Sequence, residues 1–263
     1  MSTVECQDAP VIGRLILNAD DWGRNAETTD RILECVLCGT VSSVSAMVFM
    51  EDSARAAALA REQTVDAGLH LNFTAPFTFP GCPTDLVEHQ ERITRYLRGH
   101  RLAQTLFHPG LRNSFQYVVA AQLEEFRRLY GKDPSRIDGH HHMHLCANVV
   151  FGNLLPSGTI VRRNFTFSRG QKGLVNRAYR RLLDGRLRRR YRLSDYLFAL
   201  PPLDPPGRLQ EIFSLANRFV VEVETHPVNA DEYRFLTRGG ILRLTGDLPI
   251  ASGFGMASSN GPN

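Results

Sequence analysis

The chain has 263 residues, 43% hydrophobic and 22% charged, with a formal net charge of +4. That profile reads as an ordinary globular protein and excludes a disordered chain, and the length is close to the roughly 250 residues of a (β/α) barrel. No run approaches the ~18 apolar residues of a membrane span, and the opening MSTVECQDAPVIGR carries acidic residues and no apolar stretch of signal-peptide type.

Residues 1–13 read as an N-terminal extension. RLIL (14–17) is a short apolar strand running into NADDWG. In TTDRILECVLCGT, Ile32, Leu33, Val36 and Leu37 recur at helical spacing and Gly39 stops the helix. Cys35 and Cys38 form a C-x-x-C with no second pair near it, so buried helix cysteines are expected rather than a zinc ribbon. With Cys6, Cys82 and Cys146 they make an odd, scattered set of five, which suits a reducing cytoplasm. VSSVSAMVFM (41–50) is rich in strand formers, and EDSARAAALARE (51–62) is Ala-rich and helical. VDAGLHLN (65–72) alternates, with Val65, Ala67, Leu69 and Leu71 on one face and Asp66, Gly68, His70 and Asn72 on the other.

Residues 73–110, rich in Pro, Gly and Thr, read as a long loop. Phe115, Val118, Val119, Phe126 and Leu129 predict a helix ended by Gly131. SRIDGHHHMHL is read as a strand, which would turn Asp138, His140, His142 and His144 one way and His141 and Met143 the other. GTIVRRNF (158–165) is a further strand. NRAYRRLLDGRLRRRYRL (176–193) carries eight arginines around an apolar stripe of Ala178, Tyr179, Leu182, Leu183, Leu187 and Tyr191. This is a basic amphipathic helix with a possible break at Gly185, either a plain solvated face or a surface for anionic material. Too few aromatics accompany it for serial base stacking, so nucleic acid ranks last. RFVVEVETHP (218–227) is a late strand with Glu222, Glu224 and His226 on one face, and the composition of 251–263 reads as a disordered tail.

Strands alternating with helices predict an α/β fold with a parallel sheet. NADD, LHLN, DGHHHMH and ETHP each sit at a strand end, and parallel α/β folds build their sites there. Four motifs at one mouth favour a distorted (β/α) TIM-like barrel, a single domain over 14–250, over an open doubly wound sheet. No G-x-G-x-x-G or Walker-type loop follows the first strand.

Four histidines and a carboxylate in one short stretch call for a metal or acid–base site more than for packing. Asp20 and Asp21 cannot point the same way in extended backbone; one turned to a metal leaves the other beside it as a base. An Asx turn or helix cap is the plainer role for NADD. Asp/His/His is a sufficient set for a hydrolytic metal with open positions.

Together LILNADDWG, TVSSVSAMV, AGLHLNFT, IDGHHHMH and VETHP, in this order over residues 14–230, resemble the YdjC-like (ChbG/HpnK) family of carbohydrate deacetylases. The resemblance implies a distorted (β/α) barrel, a bound divalent cation, usually magnesium, and removal of acetyl groups from N-acetylated sugars. It implies Asp21, His70 and His140 as metal ligands, Asp20 as general base, and His226 near the leaving amine. Trp22 replaces the family's usual Phe and keeps an aromatic wall; Glu224 stands where members often have an apolar residue. FTAPF replaces a Gly-containing turn, so the sugar's identity does not transfer. Asp138 and Glu222 are expected to fix tautomers of neighbouring histidines. His142, His144 and Asn72 are expected to line or support the pocket. Arg162 and Arg163, at a strand end, are candidates to grip a sugar hydroxyl or phosphate. Two imidazoles favour zinc or another transition ion over magnesium. The rivals are a metallophosphoesterase, which needs more bridging carboxylates, and a non-catalytic metal-binding module. The substrate is expected to be an acetylated amino sugar: an oligosaccharide, polysaccharide precursor or glycolipid. The protein is expected in the cytoplasm, with the Arg-rich helix as a membrane-surface contact; homo-oligomerisation is left open.

Overall fold

The computed structural model describes residues 13–100, 102–167, 173–204, 206–245 and 249–254. Its seven strands are β1 (Arg14–Trp22), β2 (Ser43–Ala46), β3 (Asp66–Leu71), β4 (Arg136–Gly139), β5 (Ile160–Val161), β6 (Tyr196–Ala199) and β7 (Val220–Thr225). All pair in parallel in the order β5-β4-β3-β2-β1-β7-β6. The outer strands meet: Ile160 bridges to Arg192 just before β6, and the Thr166 N–H donates to the Leu197 carbonyl at 2.8 Å. The sheet therefore curls into a distorted (β/α) barrel in one α/β domain.

Nine α-helices among the described residues connect or follow these strands: α1 (Ala26–Leu37), α2 (Ser53–Glu62), α3 (Thr84–Gly99), α4 (Arg112–Tyr130), α5 (Ala147–Gly152), α6 (Leu174–Leu187), α7 (Gly207–Leu215), α8 (Ala230–Thr237) and α9 (Gly240–Thr245). α1 begins at Asn25, whose side chain accepts the Thr28 N–H at 2.9 Å, so Asn25 is the helix cap and the two aspartates are free for other work. Gly39 and Gly131, both with positive φ, follow the ends of α1 and α4.

The alternation along the strands sorts the chemistry. Leu15, Leu17, Val44, Ala46, Ala67, Leu69, Ile137, Val221 and Val223 belong to the apolar core beneath the helices. The alternating set, Asn18, Asp20, Ser43, Ser45, His70, Arg136, Asp138 and Glu222, is equally buried but polar. The barrel interior is thus a hydrogen-bonded polar core, where many barrels stack aliphatic layers. Gly68 makes this possible: a Cβ there would lie 2.6 Å from Arg136 Cγ, so only glycine lets that side chain cross the interior.

Several expectations change. The 73–110 segment is not one loop, because α3 occupies Thr84–Gly99, burying Leu86, Ile93 and Leu97; flanking Pro and Gly masked that helical spacing. SRIDGHHHMHL is not one strand: β4 stops at Gly139, and His140–Leu145 forms a 3-10 turn with His141 and His142 at φ 54 and 56. The shared face of Asp138, His140, His142 and His144 therefore does not exist. α6 runs through Gly185 unbroken. Cys35 is buried but Cys38, just beyond the helix, is exposed. Ala251 N–H donates to the Leu15 carbonyl at 2.8 Å, so the chain is tied to β1 past residue 250; the rest of the expected tail, 255–263, lies outside the described residues, as do residues 1–12. No helix among the described residues is long and apolar enough to cross a membrane.

Candidate metal and hydrolytic site

The strand C-termini open onto a cavity of about 330 Å³ lined by Asp20, Asp21, His70, His140, Glu224 and His226 among others. Both aspartates reach it, which extended backbone forbids. Asp21 has φ +69, and the pairing of β1 with β2 shifts register between Ala19 and Trp22. This kink turns successive side chains to one side, a strained conformation typical of functional sites.

Asp21 is held by one oxygen only. Its Oδ2 pairs with Arg24 at 3.0 Å, while Oδ1 faces His140 Nδ1 at 2.9 Å and His70 Nε2 at 3.4 Å. Oδ1 is buried yet has no aligned hydrogen-bond donor. On the far side of His70, Nδ1 lies 2.8 Å from Asp138 Oδ1. That carboxylate orients the ring through Nδ1, so that Nε2 faces Asp21.

Asp20 is gripped far more tightly. Arg162 donates to both of its oxygens, at 2.7 and 2.8 Å, and Asn18 Nδ2 donates to Oδ1 at 2.7 Å. With three of about four lone-pair sites used, Oδ2 keeps one free, and it lies 4.0 Å from both His70 Nε2 and His226 Nε2. Burial alone would raise the Asp20 carboxyl, but the Arg162 and His70 charges bring it down to about 2. Asp20 is an anion at every physiological pH.

Arg162 is the hub. Besides Asp20 it donates to Glu222 at 2.7 Å and Glu224 at 3.0 Å, and lies 3.1 Å from Asp138. Its side chain is fully buried, so it organises carboxylates rather than gripping a sugar hydroxyl or phosphate. Arg163 is likewise spent, on Asp184 and the Asp195 carbonyl. Replacing Arg162 by methionine would take a shared guanidinium from four buried carboxylates, and a loss of about 3–5 kcal/mol is expected from urea unfolding.

Other candidates fall in three places. His226 is partly exposed at the mouth, 3.9 Å from Glu224 Oε1, and its backbone N–H donates to Glu232. His142 reaches Glu224 Oε2 at 3.3 Å and packs edge-on against Phe165. Glu222 contacts Arg162, not a histidine, so it fixes no tautomer. Asn72 turns into its own loop, accepting the Thr74 and Ala75 N–H groups. Trp22 is no pocket wall: it is buried, donating to the Ala56 carbonyl.

His144 is wholly buried, its Nε2–H donating to the Arg162 carbonyl at 3.0 Å. Burial, aided by His142, pushes it down to about 3 from an ordinary 6.5. The unfolded imidazole binds a proton below about pH 6.5 and the folded one does not, so stability falls as pH drops through that range. At about 1.4 kcal/mol per unit, moving from pH 6.5 to 5 removes about 2 kcal/mol. His144→Gln is expected to remove that slope in urea titrations at the two pH values.

Three donor atoms, one each from Asp21, His70 and His140, lie within 4.8 Å of one another. Around them Asp20, Asp21, Asp138, Glu222 and Glu224 face the guanidiniums of Arg24, Arg136 and Arg162 besides the histidines of the site. Carboxylates outnumber guanidiniums there by five to three. His70 registers the same field: burial would lower it, yet Asp20 and Asp138 raise it to about 10. An orphaned carboxylate oxygen, two imidazole nitrogens and an excess of carboxylates over guanidiniums fit one divalent cation.

Sequence reasoning missed Asn18, Ser45, Arg24 and Arg136. Ser45 donates to Asp138 at 2.6 Å, and Arg136 to Asn18 and Ser45. The one available signal was polar alternation in strands otherwise built for a core.

A family model described as YdjC-like protein matches residues 14–232. A carbohydrate deacetylase of Mus musculus is 32% identical over 55% of this chain and 47% of its own length. One of Homo sapiens is 30% identical over 61% and 50%, and a chitooligosaccharide deacetylase of Serratia marcescens 32% over 50% and 50%. The chain thus spans about half the length of the curated relatives it matches. A crystal structure of a proposed cellobiose-phosphate cleavage protein from Enterococcus faecalis V583 superposes with a TM-score of 0.62 over 92% of this chain and 97% of that one, at 19% identity, which is likeness of fold.

Proposed function

We propose, since this chain belongs to the YdjC-like family, that it removes the acetyl group from an N-acetylated amino sugar, with one divalent cation held by Asp21, His70 and His140. The observation that carries this is the buried Asp21 Oδ1, flanked by two imidazole nitrogens and lacking a donor. The deacetylase names of the relatives support the choice of reaction.

Amide hydrolysis needs an activated water, a partner for the carbonyl oxyanion and a proton for the departing nitrogen. A bound cation supplies Lewis acidity for the first two. Asp20 takes the water's proton through the one lone pair that Arg162 and Asn18 leave free. The same grip fixes its direction and keeps it ionised. His226, at the mouth and 4.0 Å from Asp20 Oδ2, gives a proton to the nitrogen. Glu224 stands beside it to steady the imidazolium. Asp138 holds His70 in the tautomer that presents Nε2 to the cation.

The test is an assay of the full chain, stripped of metal and resupplied with Mg, Zn, Mn or Co, on N-acetylglucosamine oligomers and on a generic phosphate ester. Acetate release that returns with metal is expected. Phosphate release without acetate would contradict the proposal.

A further inference from the structure

The Arg-rich helix α6 has two apolar faces, and only one of them is used. Leu183 and Leu187 are buried against the barrel, and Arg180 lies over the Phe167 ring at 5.0 Å. The residues read from the sequence as one stripe therefore divide, since Leu182 and Ala178 do not join the buried side. At 100° per residue, Leu174, Ala178, Leu182 and Val175 line the outward face. Leu174, Val175 and Leu182 are 81%, 84% and 64% exposed.

Arginines frame this apolar face. Arg181 on the helix is exposed, as are Arg188–Arg190 and Arg192 beyond its end at Leu187. The single acid of residues 173–193, Asp184, is turned inward, accepting from Asn164 and pairing with Arg163. No carboxylate of the helix offsets the outward charge. A solvated helix face needs neither three bare aliphatic side chains nor so uniform a charge.

We propose that this face of α6 lies on an anionic lipid bilayer, with Leu174, Val175, Ala178 and Leu182 in the headgroup–acyl boundary and the arginines against lipid phosphates. Interfacial helices have this composition: an apolar strip, a cationic surround and no acid. A second copy of the chain would also cover aliphatic residues, but it would bring its own arginines against these. The inference concerns binding only and stands apart from the reaction proposed above.

The experiment is vesicle flotation of the full chain with phosphatidylcholine alone and with phosphatidylcholine containing phosphatidylglycerol, at low and high salt. Binding to the anionic vesicles, weakened by salt, is expected. Leu174→Ser/Val175→Ser/Leu182→Ser and, separately, Arg181→Gln/Arg188→Gln/Arg189→Gln are each expected to lower partitioning by on the order of tenfold or more. Neither should change the unfolding midpoint, since the residues are exposed. Equal binding to neutral vesicles, or no binding to either, would overturn the proposal. So would self-association in the ultracentrifuge abolished by the serine variant without vesicle binding, which assigns the face to a second copy, or RNA binding without vesicle binding.

Discussion

Replacing Asp20 by asparagine is expected to lower turnover about 10³-fold while leaving metal content unchanged. The size follows from the loss of a positioned general base, which contributes about 10² to 10⁴. The selectivity follows from geometry. Asp20 sits beside the proposed ligand set, with both oxygens committed to Arg162 and one to Asn18, so its removal takes away a proton acceptor and no ligand. Asparagine also turns one N–H₂ group toward the Arg162 guanidinium, so some stability is lost with the activity. Parallel measurement of turnover, metal by mass spectrometry and unfolding midpoint separates these effects. Metal lost in proportion to activity would place Asp20 among the ligands instead.

His70→Ala and His140→Ala are expected to fail differently, losing metal and turnover together. Each removes one of three donors that stand within reach of one ion, and the site has no spare neutral imidazole beside them. His141 turns to Thr74 Oγ at 2.9 Å, His142 to Glu224 and His144 to the Arg162 carbonyl. Asp138→Asn is the graded case. It keeps His70 but weakens the anion that sets its tautomer, and a fall of about 10- to 100-fold in metal affinity is expected. Equilibrium dialysis against a metal indicator measures all three. Full metal binding by either alanine variant would remove that histidine from the set.

How much of this could be read from the chain depends on how local each cause is. The strand ends were legible because LHLN, VEVETHP and the run into NADD alternate or punctuate within a few residues, and period-2 patterning is a local signal. The meeting of Asp20 with His70 and His226 follows from the strand-end positions of NADD, LHLN and ETHP, while their separate roles come only through family resemblance, since these residues are far apart in sequence. The backbone at Asp21 and at His141–His142 was not legible, because a positive φ in a non-glycine residue is imposed by surrounding packing. That is why the histidine run was taken for a strand. Arg162 is a related case. A strand-end arginine reads as a substrate contact until four carboxylates from β1, β4 and β7 are seen around it. In α6, the periodicity gave the helix but not which apolar residues face inward.

The central claim is that one cation sits among an early aspartate and two remote imidazoles, and anomalous diffraction from crystals soaked in manganese or zinc tests it most directly. A single peak within about 2.0–2.3 Å of Asp21 Oδ1, His70 Nε2 and His140 Nδ1 is predicted. The described residues offer two other groupings, Asp20 with His70 and Asp138, and Asp20 with Glu224 and His226. A peak at either of those, or none in a protein that still releases acetate, would contradict it.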